Sequence, residues 1–309
     1  MKITGAPGCW GIEDTTNPYN PAYQKVLDEA SLAGYTGIEL GPYGYLPTDT
    51  SILNRELAIR HLKIIAGTMY DELSIAANRE YLIAKTHQIC QILSNLEAEI
   101  TPEDQLSFSP PYLVVIDAVN PQRSKTAGLP DEAIRLDDQA WDTLVDNIVA
   151  ICLVAKSYGI RPVLHPHAGG FIEFADEIDK IAADIGNNIM GFCLDTGHLY
   201  YSKMNPVEWL DKYYCRLDYI HFKDINYDIY QTEIANHTGF FEACALGVMC
   251  PIGTGCIDYA AIYDFLIAKD YKGYITIEQE RDPRDSSNSL ADVKASVNYL
   301  KKIGYQTNM

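Results

Sequence analysis

The 309-residue chain is poor in positive charge: 24 Lys and Arg stand against 42 Asp and Glu, a formal net charge of −18. That field repels a phosphate backbone and an anionic bilayer surface, which excludes nucleic acid and membranes as main partners. No apolar run has the length of a bilayer-spanning helix. The first eight residues, with one lysine and two glycines, lack the apolar core of a secretion signal. The eight cysteines, at positions 9, 90, 152, 193, 215, 244, 250 and 256, form no CxxC pair. A disulfide scaffold is excluded, and they read as reduced core residues of a cytoplasmic protein. GxSxG and HExxH are absent, and Pro251-Ile252-Gly253-Thr254-Gly255 lacks the GK[ST] ending of a phosphate-binding loop. Serine-hydrolase, zinc-protease and nucleotide-binding chemistry fall away with them.

What is there is regular. With 47% hydrophobic and 21% charged residues, the composition is that of a globular chain. Short apolar runs predict strands at 3–10, 37–41, 62–69, 112–119, 161–167, 190–194, 217–222 and 274–278. Helical patterns lie between them. Asn20-Pro21 predicts an N-cap and first helical position, with Val26, Leu27 and Ala30 on the buried face and Gly34 as stop. Less regular patterns predict helices at 55–61 and 72–93. Trp141, Leu144, Val145, Ile148, Val149 and Cys152 fall on one stripe that Gly159 closes. Further helices are expected at 175–185, 206–213 and 259–268, and a last one carries Leu290, Val293, Val297 and Leu300. Strands that are apolar throughout belong to a parallel sheet covered on both faces. Eight β/α units in about 300 residues predict a (β/α)8 TIM barrel, rather than a doubly wound open sheet. The chain, 1–309, reads as a single domain with a long βα loop at about 226–255, expected to cover the active site.

In such a barrel the strand C-termini form one rim, where chemistry sits. Polar residues gather there. Strand six runs into Asp195-Thr196-Gly197-His198, strand seven into His221-Phe222-Lys223-Asp224, strand eight into Glu278-Gln279-Glu280, and strand two ends in Glu39. Strand five runs into His165-Pro166-His167 with Glu173 a few residues on. Buried carboxylates and imidazoles in one place demand a cation, and that donor set suits Mn²⁺, Co²⁺, Fe²⁺ or Zn²⁺. His165 and His167 alternate along the chain and point to one side, as a ligand pair or as a lining of the barrel mouth. Cys9-Trp10 offers a pocket wall or a core position. Glu280, followed by Arg281-Asp282-Pro283, is expected in a solvated turn, paired with Arg281.

Three stretches carry a family resemblance: Cys9-Trp10-Gly11 with Asn17-Pro18-Tyr19, the run from Gly37 to Pro47 (GIELGPYGYLP), and Asp195-Thr196-Gly197-His198. With His221-Phe222-Lys223-Asp224 and the Gly253-Thr254-Gly255 turn, the chain resembles the xylose isomerase-like barrel superfamily over nearly its whole length, and within it the inosose dehydratases. The resemblance implies one divalent metal, Mn²⁺ or Co²⁺ before Zn²⁺ or Fe²⁺, held by Glu173, Asp195, His221 and Glu278, and no organic cofactor. It implies contacts to a polyol or ketose substrate from Trp10, Glu39, His165, His167, His198 and Lys223, with acid–base work divided among Glu173, Glu278, His198 and Lys223. The reaction implied is dehydration of a cyclic polyhydroxy ketone in inositol catabolism, through an enediolate. Where these sequences tend to read His-His-His-Met-Gly, this chain has His165-Pro166-His167-Ala168-Gly169, which bears on the substrate. A ketose 3-epimerase or sugar isomerase would share metal and enediolate. An abasic-site endonuclease of the same fold would need a basic face, and a non-catalytic sugar binder would need no metal. A homo-oligomer is compatible with all of these.

Overall fold

The apolar runs become strands, most of them shorter than the sequence pattern predicts, while 217–222 is matched residue for residue. The computed structural model describes residues 1–97 and 108–305. The strands are β1 (Lys2–Gly5), β2 (Ala66–Asp71), β3 (Tyr112–Asp117), β4 (Arg161–Leu164), β5 (Gly191–Asp195), β6 (Leu217–Phe222), a small antiparallel pair β7 (Asp224–Ile225) and β8 (Met249–Cys250), and β9 (Tyr274–Ile277). Seven form one parallel sheet in the order β1-β9-β6-β5-β4-β3-β2. Its two edges meet at the predicted second strand, which shrinks to a bridge: Ile38 pairs in parallel with Gly5 on one side and Ile64 on the other. Backbone bonds from Glu39 N–H to Gly5 (3.0 Å) and from Leu40 N–H to Ala66 (2.9 Å) complete the closure. Gly5 is required there, because a Cβ would lie 2.2 Å from the Tyr35 ring. The result is a TIM barrel.

The helices are α1 (Tyr23–Ala33), α2 (Thr50–Ala58), α3 (Arg79–Ser94), α4 (Asp138–Ser157), α5 (Ala175–Asp184), α6 (Thr196–Tyr201), α7 (Pro206–Lys212), α8 (Tyr227–Ala235), α9 (Phe240–Ala245), α10 (Tyr259–Ala268) and α11 (Ser289–Lys302). The α4 stripe buries Trp141, Leu144, Ile148, Ile151 and Cys152, and Asp137 caps it by accepting from the Ala140 N–H at 2.8 Å. Helix α1 buries Val26, Leu27, Ala30 and Ala33, and Gly34 ends it at φ +88°. One cluster of buried apolar side chains runs from Ile3 to Tyr305. Among the described residues no helix is long and apolar enough to cross a membrane.

The departures have local causes. Strand β1 stops at Gly5 because Pro7 has no N–H for the ladder, and Pro7–Trp10 winds into a 3-10 turn. Strand β4 stops at Leu164 ahead of Pro166 for the same reason. Helix α1 starts two residues late, with Ala22 at its N-cap; the Asn20 side chain instead donates to the Asp14 carbonyl at 2.7 Å. Helix α3 starts at Arg79 rather than 72, because β2 runs on to Asp71 and the Leu73 N–H is held by Asp117 at 3.0 Å. The expected loop at 226–255 contains α8, α9 and β8.

Candidate active site

Each barrel strand delivers its polar residue to one rim. Strand β5 ends in Asp195, which divides its labour between two oxygens: Oδ1 caps α6 by accepting from the Gly197 and His198 N–H groups (2.7 and 2.9 Å), and Oδ2 turns inward. Strand β6 supplies His221, and its next residue Lys223 follows on the same side. Glu278 follows β9, and His165 follows β4. Ligand-capable atoms of His165, Asp195, His221 and Glu278 all lie within 4.8 Å of one another. His221 Nδ1 is 3.0 Å from Glu278 Oε2 and 3.9 Å from Asp195 Oδ2, and His165 Nε2 is 3.6 Å from the latter.

The cluster is short of partners. His165 Nδ1 and Nε2, Asp195 Oδ2 and His221 Nδ1 are buried without a hydrogen bond among the described residues. A buried polar atom left unsatisfied costs about 1–3 kcal/mol, so several at one point indicate a ligand. Two imidazole nitrogens and two carboxylates match a divalent transition metal. Charge agrees: three carboxylates surround the Lys223 ammonium, whose Nζ lies 3.1 Å from Asp195, 2.6 Å from Glu278 and 2.9 Å from Glu280. Burial works against the Lys223 charge, but Asp195, Glu278 and Glu280 hold its pKa well above the usual lysine value. Burial, then the charges of Lys223 and His198, act in opposite senses on Asp195, and its carboxyl sits well below the ordinary range.

Glu39 reaches the site from behind. Its Oε1 accepts from His221 Nε2–H at 2.8 Å and from the Tyr219 hydroxyl at 2.8 Å. Tyr219 in turn is hydrogen-bonded to Thr276, which meets Thr4 at 2.6 Å. With Nε2–H donated to Glu39, His221 presents the Nδ1 lone pair to the cluster, the arrangement that orients metal-binding histidines. The cluster floors a cavity of about 630 Å³ lined by His165, His167, Lys223, Glu39, Glu278 and Glu280, with Tyr43, Tyr70 and Phe241 among its walls. That volume suits a small polyol.

Two expected site residues are elsewhere. Glu173 is not brought to the cluster: its Oε1 accepts from Gly128 N–H (2.7 Å) and Ser202 Oγ (2.9 Å), its Oε2 from Gly169 N–H (2.8 Å) and Arg123 (3.3 Å). The chain turns away from the rim after His167, and His165 stands where Glu173 was expected. Trp10 is fully buried and donates its indole N–H to Glu29 at 2.6 Å, away from the cavity lining. A third correction concerns Glu280. It is buried against Lys223, while Arg281 pairs with Asp292 at 2.7 Å. His198 lies beside Lys223, Nε2 to Nζ 3.1 Å. The segment at 226–255 packs onto this end, with the Phe240 ring 5.2 Å from His167 and 5.4 Å from His198. Sequence reading missed Glu13, which lines the cavity from the loop after Gly11; nothing in its own neighbourhood marks it.

A family model described as a xylose isomerase-like TIM barrel matches residues 27–303. The chain belongs to that family. Within it, the chain is 30% identical to the inosose dehydratase of Bacillus velezensis over 260 residues, 84% of this chain and 82% of that one. Among solved structures, the family fold is shared with the probable 3-DHS dehydratase AsbF of Bacillus anthracis (TM-score 0.71, 17% identity, 97% of this chain and 99% of that one). It is shared too with the IOLI protein carrying a zinc atom (TM-score 0.69, 15% identity, 99% and 100%). With its dehydratase relatives aligned over most of its length, this family member is a hydro-lyase.

Proposed function

We propose that this hydro-lyase removes water from a cyclic polyhydroxy ketone, 2-keto-myo-inositol or a near relative, as a step of inositol catabolism in the cytoplasm. One divalent cation, Mn²⁺ or Co²⁺, is held by His165, Asp195, His221 and Glu278. The observation that carries this reading is the convergence, at the floor of the cavity, of buried atoms of three of those residues that make no hydrogen bond among the described residues. All eight cysteines are unpaired, as suits a reducing compartment. The inosose dehydratase relatives support the choice of substrate.

A bound divalent cation supplies Lewis-acid polarisation of the substrate carbonyl. The chain's own groups do the rest. Lys223 Nζ and His198 Nε2, 3.1 Å apart, lie together where a substrate oxygen can be bound. Lys223, held charged by three carboxylates, can protonate a departing hydroxyl. Glu39 keeps His221 in one tautomer. Phe240 and Phe241 on α9 exclude water from the reacting carbons.

The test strips the protein with a chelator, verifies the loss of metal, and restores Mn²⁺ or Co²⁺ in the presence of 2-keto-myo-inositol and a panel of ketoses. Dehydrated product that appears only with restored metal is expected. Full turnover by the metal-free protein, or epimerised ketose with no loss of water, overturns the reading.

A further inference from the structure

His167 and His198 are neighbours, ring centroids 4.0 Å apart, and a single residue sets the hydrogen of each. The Ala168 N–H donates to His198 Nδ1 at 3.1 Å, and the Ala168 carbonyl accepts from His167 Nδ1 at 2.9 Å. A backbone N–H can only donate and a carbonyl can only accept, so the two roles cannot be exchanged. His198 therefore spends its Nδ1 lone pair on the backbone, and as a neutral ring carries its hydrogen on Nε2. His167 carries its hydrogen on Nδ1 and keeps a lone pair on Nε2. Two adjacent imidazoles thus present opposite faces to the substrate, one a donor and one an acceptor.

Most of the other bases are engaged, although Glu13 and Glu280 also line the cavity and Glu280 Oε2 has no hydrogen bond among the described residues. Glu173 is enclosed by Arg123, Ser202 and two backbone N–H groups. Glu278 Oε2 accepts from Lys223 at 2.6 Å and touches His221. Glu280 Oε1 lies 2.9 Å from Lys223, and His198 offers N–H rather than a lone pair. His167 lines the cavity, flanked by Tyr70 and Phe240 at 6.0 and 5.2 Å between ring centroids.

We propose that His167 Nε2 is the base that takes the α-proton, and that Ala168 creates this base by fixing the tautomers of His167 and His198 in opposite senses. The proposal rests on the dehydratase reading. The α-C–H bond breaks, its electron pair forms the C=C bond of an enediolate, and its proton moves to His167 Nε2. The enediolate electrons then expel the β-oxygen, which leaves as water with a proton from Lys223 Nζ. Proton transfer from His167 back to Lys223 restores the resting state, so the net change is the loss of one H and one OH.

The experiment uses the metal-loaded enzyme and 2-keto-myo-inositol deuterated at the α-carbon. It follows release of deuterium into water, which counts each C–H cleavage. His167→Asn keeps a donor for the Ala168 carbonyl while removing Nε2; His167→Gln is the second variant. Deuterium release in both is expected to fall by about 100-fold or more, the usual contribution of a general base, with metal content and ketone binding unchanged. Release at the wild-type rate in either variant overturns the proposal, and so does loss of metal from both, which would make His167 a ligand. If the wild type itself releases no deuterium from any cyclic polyhydroxy ketone, the dehydratase reading falls as well. A wild type that turns over beside an equally active His167→Asn removes only the base.

Discussion

Two clusters of buried charge lie side by side behind the C-terminal ends of β4 and β5, and they differ in one respect. In the Arg123–Glu173–Glu177 cluster every carboxylate oxygen has a partner: Glu177 Oε1 meets Arg123 at 2.7 Å, and Glu177 Oε2 accepts from the N–H groups of Glu173 and Phe174 at 2.9 Å. In the rim cluster Asp195 Oδ2, His221 Nδ1 and both His165 nitrogens have no hydrogen bond among the described residues. Both clusters are buried, and both hold carboxylates beside a cation. Carboxylates with every oxygen bonded lock the loop at 117–134 onto α5, where Arg123 Nε alone of the cluster lacks a partner among the described residues; the open atoms of the rim cluster converge on one point and await a ligand. Burial and acidity alone do not mark a site, and the state of the hydrogen bonds separates the two cases.

The comparison breaks most cleanly at Asp195. Asp195→Asn keeps an oxygen for the Gly197 and His198 N–H groups, so the α6 cap survives, but the inward charge is lost. Metal affinity and kcat should each fall by at least about 100-fold, with the melting temperature of the metal-free protein little changed. Metal content measured after desalting checks it, and a variant that still holds one metal per chain assigns Asp195 to the structure.

Glu278 and Glu280 give the next largest effect. Both touch Lys223, yet only Glu278 joins His165, Asp195 and His221 within 4.8 Å. Glu278→Gln should empty the site, whereas Glu280→Gln should keep the metal and lose part of the rate. The reverse result in the same metal assay would move the site by two residues along the chain.

Glu39→Gln sharpens the picture from behind. The amide can still accept from His221, but it no longer carries the charge that makes the imidazole a strong ligand. Metal affinity should fall by about 10- to 100-fold, read by competition with a chromophoric chelator.

The smallest effect is expected at Glu173. Burial raises its carboxyl to about 7, against the pull of Arg123, Gly128, Gly169 and Ser202. A pKa raised on folding gives stability that is present in full below the unfolded value and is lost as pH rises to about 7. Glu173→Gln cannot ionise. Its stability relative to wild type should therefore rise between pH 4.5 and 7.5, by roughly 3 kcal/mol at most, while its metal content stays unchanged. Urea unfolding at several pH values measures the first, and a flat difference would contradict the shift.

By itself the sequence determined the barrel, because apolar runs of strand length and 3.6-residue stripes depend on neighbours along the chain. It determined the rim residues for the same reason: Asp195, His221 and Glu278 stand directly at strand ends, where the register of the strand aims each side chain. After β4 that register is lost. Pro166 ends the ladder, the chain turns through Gly169 and Gly170, and nothing local says that Glu173 swings to Arg123, 50 residues earlier, while His165 turns inward. Trp10 and Glu280 went astray likewise, one drawn to Glu29 and the other to Lys223. The tautomers of His167 and His198 depend on two hydrogen bonds made by the Ala168 backbone, one of them donated to a histidine 30 residues away. Only the tertiary structure decided these, because a side chain past the end of its strand is placed by whichever partner folding brings near.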